Sequence, residues 1–274
     1  MFNTLLVQPL TNGLIVFYRI FGGNLGLAII GFSLFLRFVL NPLTKPYMES
    51  MKKMKTVAPK LEKLKKKHKD DRVKLAQAQS ELYRQKGINP GSGCLPYILQ
   101  IVVLIAFFNV FSKTIVPDAN LAEQFNKLLY EPLRFAKDAV VNTNFLYLDV
   151  RTPDTFQITG LPFPVPGPLL VLAAIVQFLS AKITAPFVEA EEAVAKKTKG
   201  EADDIQVAMQ KSMIYTFPLL TIVFGMRFSS GLALYWLMFS LFQAAQQYKS
   251  SGWGGLTPWI KRAGLLKSEG KKGK

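Results

Sequence analysis

Residues 24–45 read NLGLAIIGFSLFLRFVLNPLTK, an apolar run long enough to cross a bilayer with one full positive charge, Arg37, set inside it. An arginine at membrane depth is expensive and normally faces a bundle interior or a wet cavity. Ser33, Asn41 and Thr44 recur around it at helical spacing, so one face of an otherwise greasy helix carries a polar stripe. Two readings are open from this stretch alone: a stripe lining a polar cavity, or a long side chain snorkelling from near the helix end to the interface.

The rest of the chain fits a membrane setting. Half of the 274 residues are apolar, yet the formal charge is +16. That pairing is expected of membrane spans joined by basic loops. One cysteine, Cys94, excludes an internal disulfide framework and a multi-cysteine metal site, and the one histidine, His68, sits in the solvated run KLKKKHKDD. No GxxxxGK[ST] or GxGxxG motif occurs. No catalytic residue, metal or cofactor is expected.

Charge places the segments. Residues 45–86 hold fourteen Lys or Arg against five Asp or Glu, which assigns them to the cytoplasmic side. Within them Met48, Met51, Met54, Leu61 and Leu64 mark one helical face, and Leu75, Ala78 and Leu82 a second beyond the capping pair Asp70-Asp71. This predicts an antiparallel helical hairpin over 48–87, kinked at Pro59. Residues 112–168 carry five basic and six acidic side chains and suit the outer side; 123–140 reads as a peripheral helix and 152–168 as irregular. The tail, 249–274, holds seven Lys or Arg against one Glu and should end inside.

The expected fold is an all-α polytopic membrane protein, a bundle of five transmembrane helices at about 24–45, 95–111, 169–184, 213–228 and 231–248. An amphipathic segment, 1–23, interrupted by Pro9 and Gly13, should lie along the outer surface. Residues 24–248 form the core and 249–274 a basic cytoplasmic tail, with the N-terminus outside. Sorted by depth in that orientation, Ser33, Arg37 and Asn41, Gln100, Gln177 and Ser180, and Trp236, Ser240 and Gln243 fall in the cytoplasmic half of their spans. Clustered polarity on one side implies a cavity that opens there and stops midway.

The blocks NLGLAIIGFSLFLRFVLNPLT (24–44), MKKMKTVAPKLEKLKKKHKDD (51–71), LYRQKGINPGSGCLPYILQ (82–100), FLYLDVRTPD (145–154) and GLALYWLMFSLFQAAQQY (231–248) resemble the YidC membrane-protein insertases. The resemblance implies a plasma-membrane insertase and chaperone for nascent membrane proteins, without covalent chemistry. It also implies that Arg37 is the groove arginine and that Gln177 and Trp236 lie near the substrate path. The basic hairpin, with Lys52, Lys53, Lys65, Lys66 and Lys67, and the tail, with Lys271, Lys272 and Lys274, would meet a secretion channel, a signal-recognition-particle receptor or the ribosome, whose RNA would be the sole nucleic acid. The same lysines suit anionic lipid headgroups. Val102 and Ser229 stand where the family usually has proline, and the large soluble domain of many relatives is not seen, which suggests a compact form. A ribosome tether explains the lysines but leaves Arg37 idle, and a solute transporter would need polarity through both leaflets.

Overall fold

The computed structural model describes residues 2–68, 71–88, 95–115, 120–184 and 201–264, and they are mostly helical. After a short wide turn at Asn3–Val7 come α1 (Gln8–Ile20), α2 (Leu25–Lys67), α3 (Arg72–Gln85), α4 (Leu95–Thr114) and α5 (Leu121–Asn126). Two small antiparallel pairs follow, β1 (Asn144–Phe145) with β2 (Leu148–Asp149) and β3 (Thr155–Phe156) with β4 (Val165–Pro166). The chain then forms α6 (Pro168–Thr184), α7 (Glu201–Gly225), α8 (Ser230–Ser251) and α9 (Thr257–Arg262). Leu25–Leu43 is long and apolar enough to cross a membrane, and Ile101–Thr114, Pro168–Ile183 and Ile214–Gly225 are shorter apolar stretches.

Helix α2 starts where Asn24 caps it, its side-chain oxygen accepting the Leu27 N–H at 3.0 Å. It then continues through the expected boundary near 45–48, so that the first span and the first arm of the basic hairpin are one helix. Pro42, Pro46 and Pro59 each delete one backbone donor, but the flanking hydrogen bonds carry the helix past them. Beyond it Asp71 accepts the Lys74 N–H at 2.9 Å and starts α3 as its capping residue. That N–H, and then the Lys74 ammonium, hold the Asp71 carboxyl below the usual range. Gly87, just after α3, passes beside the Lys53 ammonium, which brings the second arm back along the first.

Pro9 and Gly13 do not interrupt the N-terminal helix. Pro9 sits in the first turn of α1, where a missing N–H costs little. Gly13 lies against the Phe32 ring of α2, and a Cβ there would stand 2.5 Å from a ring carbon. Phe32 is itself held by Phe17 at 5.6 Å and Phe107 at 6.0 Å, centroid to centroid, and has nowhere to go. Gly13→Ala therefore gains about 1 kcal/mol of helix propensity but loses about 1–3 to overpacking, and the net expectation is a lower apparent Tm in a thermal melt.

A cap formed by residues 120–167 gathers helix ends of the bundle. Asn12 of α1 donates to Leu128 O at 2.9 Å and accepts from Tyr130 N at 2.8 Å, while Arg19 donates to the carbonyls of Pro132 and Leu133. Leu25 N donates to Asn142 O at the start of α2, and Ser230 N and Gly231 N donate to Thr152 O and Val150 O at the start of α8. The peripheral helix expected at 123–140 is only the six residues of α5. Asn126 explains the stop: its amide donates to Phe135 O at 2.9 Å and accepts Phe135 N at 2.8 Å, folding the chain back, and Pro132 could not have supplied a helical N–H. The stretch expected to be irregular, 152–168, contains the β3–β4 pair.

At the start of α6 the buried Asp154 carboxylate accepts the Leu170 N–H at 2.9 Å, and the Tyr147 hydroxyl donates to that carboxylate while accepting the Leu169 N–H at 2.8 Å. An acid at a helix N-terminus satisfies orphan donors and complements the dipole. Burial and the adjoining Asp154 charge push the Tyr147 hydroxyl up, against the opposing pull of the Leu169 N–H. Asp149, pushed up by burial, is nevertheless lowered overall by its hydrogen bonds, chiefly from Arg151, the shortest at 2.6 Å.

Candidate functional site: a pocket around Arg37

Helix α8 is the centre of the bundle, packed most extensively on α6 and next on α2, while α7 leans on the far side of α6. Among the described residues, helix α4 touches α2 and α8 more sparingly. Where α4 meets them firmly, the contact is aromatic. Tyr235 of α8 stacks on Phe107 of α4 at 4.2 Å and 15°, and Phe107 lies against Phe32 of α2. All three rings are buried, forming a plug.

Beneath that plug lies a cavity of about 20 Å³ lined by Ser33, Leu36, Arg37 and Leu40 of α2, Val103 of α4, and Tyr235 and Phe239 of α8. Its volume is that of about one ordered water. Arg37 is twelve residues into α2, about 18 Å from the capped end at 1.5 Å per residue. Its guanidinium carbon stands 4.3 Å from the Phe239 ring centroid and 5.4 Å from that of Phe242. Its Nε is buried and has no hydrogen-bond partner among the described residues, none of which forms an ion pair with it. An aromatic face attracts a cation but accepts none of its five N–H donors in a directed hydrogen bond. The guanidinium is therefore held in place yet left with capacity to bind, with the fork geometry that suits a carboxylate.

The residues singled out by sequence divide around this pocket. Ser33 lines it, with its hydroxyl spent on Ile29 O of its own helix. Asn41 lies one turn beyond Arg37 and accepts from the Gln246 amide at 2.9 Å, tying α2 to α8 on the side away from the plug. Gln177 of α6 is turned to α7, where its oxygen accepts the Thr221 hydroxyl at 2.6 Å. Ser180 and Ser240 are buried, and Trp236 and Gln243 are half-buried, none of them among the lining residues. The side chains of Gln100, Lys52, Lys65 and Lys66 lie outside the described residues, as do Lys271, Lys272 and Lys274 altogether, whereas Lys53 and Lys67 are exposed on α2. Among the described residues no group of three His, Cys, Asp or Glu could hold a metal ion.

Tyr235, Phe239 and Phe242 were missed from sequence. Their signal is the i, i+4, i+7 aromatic spacing on α8, one position away from the stripe Trp236, Ser240, Gln243.

The chain resembles proteins of one kind throughout. The family described as 60Kd inner membrane protein matches residues 16–251. A protein of Fusobacterium nucleatum named membrane protein insertase YidC is 33% identical over 226 residues, 82% of this chain and 85% of that protein. This chain belongs to the YidC family. A Bacillus anthracis member, named membrane protein insertase YidC 2, is 30% identical over 91% of this chain and 81% of its own length. A Chlorobium luteolum member is 33% identical over 83% of this chain, but the match spans only 33% of that longer protein. The matched region in this YidC-family chain contains the aromatic plug, Arg37 and the whole cavity wall.

The Thr221–Gln177 contact separates a packing role from a path-lining one. Thr221→Val should cost about 0.6–1.7 kcal/mol, the range for a hydrogen bond between membrane helices, and a double-mutant cycle with Gln177→Leu should recover that coupling energy in unfolding measurements.

Proposed function

We propose that this chain is a membrane protein insertase and chaperone of the bacterial plasma membrane. Five spans, α2 with its first nineteen residues, α4, α6, α7 and α8, carry polar flanks of nascent membrane proteins through a groove that opens to the cytoplasm. The observation that carries this reading is Arg37, an incompletely paired guanidinium in the apolar part of α2 beneath an aromatic plug. A pocket closed on one side by buried rings fits a groove that ends midway rather than a pore.

In this mechanism an acidic or polar segment leaves water for the Arg37 pocket while the apolar helix beside it moves into lipid. A charge at the bilayer centre costs about 2.5–3.5 kcal/mol on the insertion scale, and a fixed counter-charge offsets part of it. The membrane potential, worth about 2.3 kcal/mol per charge per 100 mV, then draws the acidic segment outward. Ser33, Asn41, Gln100, Gln177, Ser180, Trp236, Ser240 and Gln243 belong to the inner-leaflet polarity that accompanies this passage. Asn41 and Gln177 act through the helix pairs they hold together.

The basic arm of α2, the helix α3 after it and the tail beyond α8 face the cytoplasm in this orientation and supply cations for a ribosome, a receptor, a secretion channel or anionic lipid. The N-terminal residues and the cap, 120–167, lie outside. The deciding experiment is insertion of a purified substrate with an acidic outer tail into liposomes containing this protein alone. Protease protection of the tail no greater than in protein-free liposomes would reject the reading in favour of a tether.

A further inference from the structure

The outer cap divides sharply by charge. Residues 120–154 carry nine charged side chains, whereas 155–181, from the β3–β4 hairpin through most of α6, carry none. The hairpin is also turned outward: all nine residues from 156 to 164 are exposed. Among them are Phe156 at 47%, Ile158 at 49%, Leu161 at 37% and Phe163 at 59%. A soluble surface rarely carries so dense an apolar patch without a partner.

Its position and its lack of charge identify the partner. Strand β4 ends at Pro166 and α6 begins at Pro168, so the hairpin joins directly onto the exposed apolar face of that helix, Leu172 and Ile175. Leu146, at the tip of the neighbouring β1–β2 turn, is 85% exposed with φ of +52°, a backbone state that glycine or asparagine adopts more cheaply. That turn is moored level with the start of two helices, since Asn24 donates to Asn144 O and Leu169 N donates to the Tyr147 hydroxyl. Part of the hairpin's backbone polarity is already removed or paired. Pro162, Pro164 and Pro166 have no N–H, Leu161 N donates to Ile158 O, and the Gln157 amide donates to Leu161 O at 3.1 Å.

We infer that the β3–β4 hairpin, together with Leu146, is a lipid anchor whose partner is the headgroup–acyl boundary of the outer leaflet beside α6. It rests on the membrane orientation given under Proposed function but not on insertase activity. It fixes the depth at which the cap meets the bilayer and leaves the charged half of the cap in water.

The test uses the full chain with Cys94→Ser and one new cysteine, Ile158→Cys or Phe163→Cys, with Asp138→Cys as the water-facing control. Each is labelled with an environment-sensitive fluorophore and reconstituted into phosphatidylethanolamine–phosphatidylglycerol liposomes. Labels at 158 and 163 should be quenched at least threefold more by lipids bearing an acyl-chain nitroxide than the label at 138, and at least threefold less by external iodide. Iodide quenching at 158 and 163 equal to that at 138 overturns the inference. Poor quenching there by either reagent also overturns it, showing cover by protein. Insertion is not measured, so this result and the fate of the insertase reading are independent.

Discussion

Arg37→Ala should lower insertion of a substrate with an acidic outer tail about 100-fold, as measured by protease protection in liposomes containing the purified variant. The magnitude follows from the insertion-scale cost of an unmatched charge at membrane depth, about 2.5–3.5 kcal/mol, at 1.36 kcal/mol per tenfold. Arg37→Lys keeps the charge but loses the guanidinium's contact with the Phe239 ring face, worth about 0.5–1 kcal/mol, and should stay within about fivefold of the parent. Phe239→Leu, with Arg37 intact, should fall in the same range. A substrate whose outer tail is neutral should be nearly indifferent to Arg37→Ala. Equal rates for all variants on the acidic substrate would remove the electrostatic role.

The second large effect lies in the cap. Asp154→Ala should destabilise the protein by about 3 kcal/mol, seen as a lower apparent Tm in a thermal melt of the detergent-solubilised protein. The change strips the Leu170 N–H and the Tyr147 hydroxyl of a buried acceptor at once. The buried Leu170 N–H left without a partner costs about 1–3 kcal/mol and the lost helix cap about 1, while the exposed Tyr147 hydroxyl turns to water. Asp154→Asn keeps an acceptor oxygen while losing the charge at the helix N-terminus, and should cost only about 1 kcal/mol. Gly167 lies against the Asp154 carboxylate with no room for a Cβ, so Gly167→Ala should reproduce much of the alanine effect by displacing the acid rather than removing it. If Asp154→Ala melts like the parent, the acid is not what starts α6.

Much of the helical layout is written in the order of apolar and basic stretches. The run containing Arg37, the apolar stretch at 101–114 and a break before 231 can each be found by length and composition, although the helix before that break ends at Gly225 rather than 228. Asp71 as the start of α3 was equally legible, since capping is local. The walls of the pocket were not. Tyr235 and Trp236 differ by about 100° around α8, and which of them faces Arg37 is decided by Tyr235 stacking on Phe107 from another helix. Gln177 finds its partner Thr221 forty-four positions away, and Asn126 ends α5 through Phe135. Such contacts depend on how elements meet, which a periodicity cannot report.

The unbroken α2 has a mechanical meaning. Arg37 and Lys67 ride on one helix, with Pro42, Pro46 and Pro59 between them as points of reduced bending stiffness, because each proline supplies no N–H to bridge its turn. At 1.5 Å per residue the arm from Pro46 to Lys67 is about 32 Å long and that from Pro46 to Arg37 about 14 Å. A pivot of about 5° at Pro46 sweeps the lysine end through about 3 Å and the arginine end through about 1 Å. Any such bend would couple a small shift at the pocket to a larger one at the exposed lysines Lys53 and Lys67.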